Sequence, residues 1–212
     1  MYYFVTMLAL CLLCYSSTTY GRRLKDSYHM LISSREASAS QSSSFYGMNA
    51  KEKEIFALIN NYRQQYGLPT LQASANLAYV AHTHAVDVVQ NSPAVNGGNA
   101  HSWSNKGNWK PVIYTPDHRQ AQLMWSKPSE ISNYKYYGFE IAYGFGDYRD
   151  RDRTVDPVQS VNAWKNSPAH KDVIIQRGAF QNMPMKAMGV GIYKGFACVW
   201  FGQYLDTFPR PE

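Results

Sequence analysis

Two apolar runs of β type, MGVGIY and FACVWFG, stand back to back around Lys194-Gly195 near the end of the chain. Runs of this composition on either side of a two-residue turn predict a tight hairpin. The only other segment that reads as a strand is FEIAYGFG. Capped helical patterns fill the start and the middle of the chain, and no internal repeat is present. Helices first and strands late imply an α+β fold, arranged as a three-layer α-β-α sandwich, rather than regularly alternating βαβ units.

The helix starts are explicit. NAKE makes Asn49 an N-cap with Glu52 at the third helical position, a capping box. Ile55, Leu58, Ile59, Tyr62 and Tyr66 then recur at helical spacing until Gly67 and Pro69. A second helix follows Ser74, with Leu77, Val80, Ala81, His84 and Val88 on one face, and ends near NSPAVNGGN. Asp156-Pro157-Val158-Gln159 starts another, with Pro at its first position. Between Ser102 and Phe139 a long irregular stretch predicts only a short helix, within Asp117 to Trp125. It carries Trp103, Trp109, Tyr114, Trp125, Tyr134, Tyr136 and Tyr137. Those rings either form a local core under the loop or line the mouth of a cleft.

The first twenty-one residues hold an apolar run, Phe4 to Leu13, and no Lys, Arg, Asp or Glu. Residues 1–21 are therefore read as a secretory signal peptide, 22–46 as a flexible Ser-rich linker, and 47–212 as one domain. The chain is expected to be secreted and extracellular, since no stretch reaches the roughly 20 apolar residues a membrane span needs. Cys11 and Cys14 leave with the leader and Cys198 remains alone, so no internal disulfide is expected in an oxidising destination. The net charge is +6, of which +2 lies in residues 22–46. Apart from Arg149, Arg151 and Arg153, which alternate with Asp150 and Asp152, its cations are scattered. A nucleic-acid surface needs an uncompensated basic stripe, so that class is set aside. Weak attraction to anionic surfaces is retained.

In WKNSPAHKDVII a helical pattern breaks at Ser167-Pro168, and His170 follows at the third position of a new helix capped by Ser167. The positive end of the helix dipole disfavours protonation there, and neutral imidazole is the form that ligates metals. His82 and His84 are two apart on a helix and cannot face one ligand. His84 reads as core, His82 as nearer the surface. His118 sits at the start of the short helix and His29 in the linker. Cys198 reads as buried and inert, and the glycines of GVGIYKG as hairpin glycines.

YRQQYGLPTLQAS, LAYVAHTHAVDV, AHS, GFEIAYG, AWKNSPAH and MGVGIYKGFACVWFGQ come in an order that resembles the CAP family: cysteine-rich secretory proteins, antigen 5 and pathogenesis-related proteins, or SCP domains. The likeness is to short members without the family's disulfides. The resemblance implies a cleft with two histidines and two acids, in which the histidines of several members bind a divalent metal. By position, His101 is the first histidine, Glu140 the first acid and His170 the second histidine. Ser167 stands where the second acid commonly falls. His101 and His170 are the implied ligands for Zn²⁺ or another divalent cation, and Glu140 either joins them or orients one histidine. The implied function is binding, of a small hydrophobic ligand such as a sterol or fatty acid or of a protein partner, without catalysis. The alternatives are a metal-dependent hydrolase or protease using the same cleft, and an extracellular matrix or surface interaction module.

Overall fold

The computed structural model of the chain describes residues 47–144 and 153–207, all within the unit Ser44–Glu212. The leader, the linker with His29, and Arg149 and Arg151 lie outside the described residues.

Helix α1 (Ala50–Gln65) begins as its capping box predicts. Asn49 Oδ1 accepts from the amides of Lys51 and Glu52, and Glu52 Oε2 accepts from the Asn49 amide at 2.7 Å. The other oxygen of the buried Glu52 accepts from the Ile192 amide at 2.8 Å, so one side chain both caps the helix and ties it to the sheet. Strand β1 (Gln72–Ala73) leads into α2 (Ala75–Asn91), capped by Ser74 Oγ and closed by Ser92 in the left-handed region. The short helices α3 (Ala121–Trp125) and α4 (Lys127–Ile131) precede β2 (Gly138–Gly144). Then come α5 (Pro157–Asn166), capped by Asp156, and α6 (Pro168–Ile174). A 3₁₀ turn at Gly178–Phe180 leads to β3 (Ala187–Tyr193) and β4 (Phe196–Gly202).

The strands lie in the order β1-β3-β4-β2, with β1 parallel to β3 and the other pairs antiparallel. The β3–β4 hairpin turns at Lys194, with φ 50, as expected. Alternation along β4 supplies two cores at once. Ala197, Val199 and Phe201 join α1, α5 and α6 on one face. Phe196, Cys198 and Trp200 join α2 on the other. Both faces are covered, which is the α-β-α sandwich. By the same period of two, Phe139 and Ile141 of β2 face the first layer, and Glu140 between them faces α2.

The glycines of GVGIYKG belong to the hairpin, as expected, with Gly189 and Gly191 inside β3 on the α2 side. A Cβ on Gly189 would sit 2.0 Å from the Ala78 amide nitrogen, and one on Gly191 would sit 2.2 Å from the Ala81 carbonyl carbon. They are the flat strip that lets the α2 backbone rest on the sheet. The long 102–139 stretch contains a second helix, α4, unheralded because its apolar content is low. It is held instead by the buried Lys127, whose Nζ donates to the Lys110 carbonyl and to Glu130 Oε2, both at 2.5 Å. Trp103, Tyr114 and Tyr134 are core under this stretch, whereas Tyr136 and Tyr137 are exposed. His118 does not start a helix: it lies in the left-handed region ahead of α3, and its Nδ1 is 2.8 Å from the Tyr114 hydroxyl.

The glycine contacts yield a ranking. Gly191→Ala forces helix and sheet apart and is expected to cost about 3 kcal/mol. Gly67→Ala, where φ is +70 but nothing lies within 4 Å, carries only backbone strain of about 1 kcal/mol. Urea denaturation of the two variants reads the difference; equal losses would mean that α2 does not rest on the strip.

Candidate functional site

The site is organised by a carboxylate on the face of β2 that meets α2. Glu140 is buried, and each of its oxygens has a histidine: Oε1 lies 2.5 Å from His84 Nδ1 and Oε2 lies 2.8 Å from His101 Nδ1. His84 comes from the middle of α2, brought close by the Gly189–Gly191 strip. His101 follows the α2 exit, where its amide donates to Asn99 Oδ1.

His84 is core, as expected, but it is more than packing. Its Nε2 lies 3.0 Å from the Ser102 carbonyl, so both ring nitrogens face pure acceptors and both must donate. That describes an imidazolium paired with the Glu140 carboxylate. Burial alone would lower the His84 pKa, but the charge and hydrogen bond of Glu140, with the Ser102 carbonyl and Asp87, overcome it and raise it. Burial likewise works against Glu140, and the two histidines overcome it to hold the carboxyl at about 2. The Trp103 indole stacks on His84 with centroids 4.2 Å apart and planes 6° from parallel. The signal for this pair in the sequence is a histidine on the apolar face of α2, because two buried ring nitrogens require two partners.

With Nδ1 against Glu140, His101 turns Nε2 away from the carboxylate. The ring is partly exposed and takes the edge of Tyr114 at a centroid distance of 5.5 Å. His170, in the first turn of α6, feels the charges of both His101 and Glu140. Its pKa is lowered, as expected, but by burial first and His101 second, so the seven-residue helix is not the cause. Ser167 does not cap α6 with its side chain. Its Oγ lies 2.8 Å from His170 Nδ1 instead. The position of a second acid is thus taken by a neutral group that steadies His170. Among the described residues neither His101 nor His170 uses Nε2 in a hydrogen bond.

His84, Glu140 and Cys198 also offer atoms within 4.8 Å of one another, all buried. The thiol, however, donates to the Ala81 carbonyl at 3.1 Å, and burial followed by the Glu140 charge pushes its pKa well up. Protonated sulfur and a doubly protonated imidazole are poor ligands. That leaves His101 and His170 as the histidines of the site with Nε2 outside any hydrogen bond among the described residues, with Glu140 and Ser167 behind them on Nδ1.

The pair His84–Glu140 makes stability depend on pH. A histidine whose folded pKa is raised contributes fully below its ordinary 6.5 and loses that contribution as pH rises through the folded value. A carboxylate whose pKa is depressed contributes fully above its ordinary 4.5 and loses that as pH falls toward 2. Glu140→Gln leaves a buried imidazolium unpaired and is expected to cost about 3–5 kcal/mol. The gap between wild type and variant in urea midpoint should be widest between pH 4.5 and 6.5. A gap independent of pH would refute the ion pair.

No curated protein sequence matches the chain. Among solved structures it is similar to an extracellular protein containing an SCP domain from Bacillus anthracis, at 21% identity and TM-score 0.49 over 72% of this chain and 40% of that one. It is also similar to a cysteine-rich secretory protein from Staphylococcus aureus, at 17% identity and TM-score 0.44 over 73% and 38%. An outer surface protein of Borrelia burgdorferi is 21% identical, with TM-score 0.44 over 72% of this chain and 91% of that one. The chain thus spans well under half the length of the first two. The sequence itself matches the profile of the cysteine-rich secretory protein family over residues 56–204. The chain belongs to that family, CAP, and its folded unit is a CAP domain.

Proposed function

We propose that this chain is an exported binding protein whose site holds a divalent cation, zinc being the natural occupant, on Nε2 of His101 and His170. The observation that carries this reading is the engagement of Glu140. Both of its oxygens are taken by histidine N–H groups, and its pKa is held low, so it cannot serve as a general base near neutral pH. With Ser167 in place of the second acid, the site has ligands and orienting groups but no group free to move a proton. That favours binding over hydrolysis or proteolysis. A bound cation would supply an electrophilic anchor for an oxygen of a small ligand or of a protein partner. A small hydrophobic ligand such as a fatty acid or sterol, with its carboxylate or hydroxyl oxygen on that cation, fits this reading. Export rests on the leader read at residues 1–21; no helix among the described residues is long and apolar enough to cross a membrane.

Isothermal titration with Zn²⁺ tests the site. One equivalent should bind, and His101→Ala and His170→Ala should each weaken binding at least tenfold. Ser167→Ala should weaken it about tenfold through the lost hydrogen bond to His170, and Ser167→Asp should strengthen it. Absence of zinc binding to the wild type would sink the metal reading. Peptide hydrolysis lost in His170→Ala would overturn the non-catalytic one.

A further inference from the structure

On the α1, α5 and α6 side of the sheet, Tyr62 of α1 and Tyr66, the C-cap of that helix, stand one turn apart with ring centroids 5.1 Å apart, edge to face, and hydroxyls 3.1 Å apart. Three cations from separate parts of the chain converge on them. Lys165 Nζ of α5 lies 4.7 Å from the centre of the Tyr62 ring. Lys171 Nζ of α6 lies 5.7 Å, and the Arg177 guanidinium carbon 5.2 Å, from the centre of the Tyr66 ring. Among the described residues none of the three forms an ion pair. The acid nearest in sequence, Asp172, points instead to Gly178.

A fourth cation lies beneath. Arg63 is fully buried, and its guanidinium donates to the Pro69 and Ile174 carbonyls and to Gln176 Oε1, with no carboxylate. It thereby pins the turn that carries Arg177, in which Gln176 takes a left-handed conformation. The field is felt locally: the Tyr62 hydroxyl first, then Lys171 and Arg177, lower the Tyr66 pKa. Like charges gathered without a counter-ion repel, and the rings hold them in place. An anion arriving here relieves that repulsion without having to order the side chains.

We propose that this surface binds a sulfated polysaccharide, with one sulfate group taken by Lys171, Arg177 and the Tyr66 hydroxyl and a neighbouring one by Lys165. A repeating chain of fixed anions matches cations spread over two adjacent rings. A lipid surface fits less well, because Tyr66 is the only exposed large apolar side chain in the cluster and membrane adhesion draws on apolar insertion as well as charge. Single-stranded nucleic acid fits less well, because base stacking needs open ring faces, and here Tyr62 is buried and cations sit by Tyr66.

Binding of the full-length chain to a heparin hexasaccharide, measured by calorimetry, tests this. Expected are binding of the hexasaccharide but not of its desulfated form, and at least tenfold weaker binding by K171Q/R177Q. Separately, K165Q and Y66F should each weaken it about threefold. K106Q/K135Q, which removes the same charge from two exposed lysines of the 102–139 stretch, should bind as wild type, and so should His101→Ala, whatever becomes of zinc. Equal loss in K106Q/K135Q, no binding by the wild type, or tighter binding to phosphatidylserine vesicles than to the hexasaccharide would each overturn the proposal.

Discussion

One buried carboxylate sets the character of the site. Glu140 lies where water cannot solvate it, so each oxygen must be matched by a donor, and the two donors come from different places: His84 inside α2 and His101 beyond its end. Pairing with the first makes a buried ion pair; pairing with the second fixes which nitrogen of His101 faces outward. The acid that the family resemblance would assign to chemistry is thereby an orienting group. On the proposed reading, the site acts through His101 and His170.

That arrangement depends on how closely α2 approaches the sheet. A helix normally sits on a sheet at a distance set by side chains between them. Gly189 and Gly191 remove those side chains, and the backbone of Ala78 and Ala81 comes directly onto β3. The same approach brings His84 within reach of the Glu140 side chain two strands away in the order β3-β4-β2. Trp103 stacks on the imidazolium from the other side, and Lys127 lies over that indole at 5.6 Å. The loop rings thus serve mainly as the lid of the second core, with Tyr114 at its border with the site.

Local signals were legible wherever the physics is local. The caps at Asn49, Ser74 and Asp156 and the turn at Lys194-Gly195 need only a few consecutive residues, and each forms as read. Ser167 misled because a helix-start serine has two partners within reach, the amides of the next turn and the imidazole of His170, and it takes the second. The helix at Lys127–Ile131 was missed because it is held by a buried ammonium rather than by an apolar stripe. The glycines of GVGIYKG read as part of the hairpin, but their second role, bearing the α2 backbone, was not legible because only the position of α2 reveals it.

The cationic cluster shows the limit most clearly. Along the chain its members are scattered singly, at positions 63, 165, 171 and 177, and only Arg149, Arg151 and Arg153 read as a group. Packing α5 and α6 against α1 gathers the scattered ones around two tyrosines. By itself the sequence determined the starts of the long helices, the hairpin, the α+β class and the candidacy of His101, Glu140 and His170, because these follow from periodicity, short-range capping and the order of motifs. Only the tertiary structure decided that Glu140 belongs to His84 as much as to His101, that Ser167 serves His170, and that three distant cations share one surface above a buried fourth. Such pairings are set by the distances between packed elements, which no local pattern encodes.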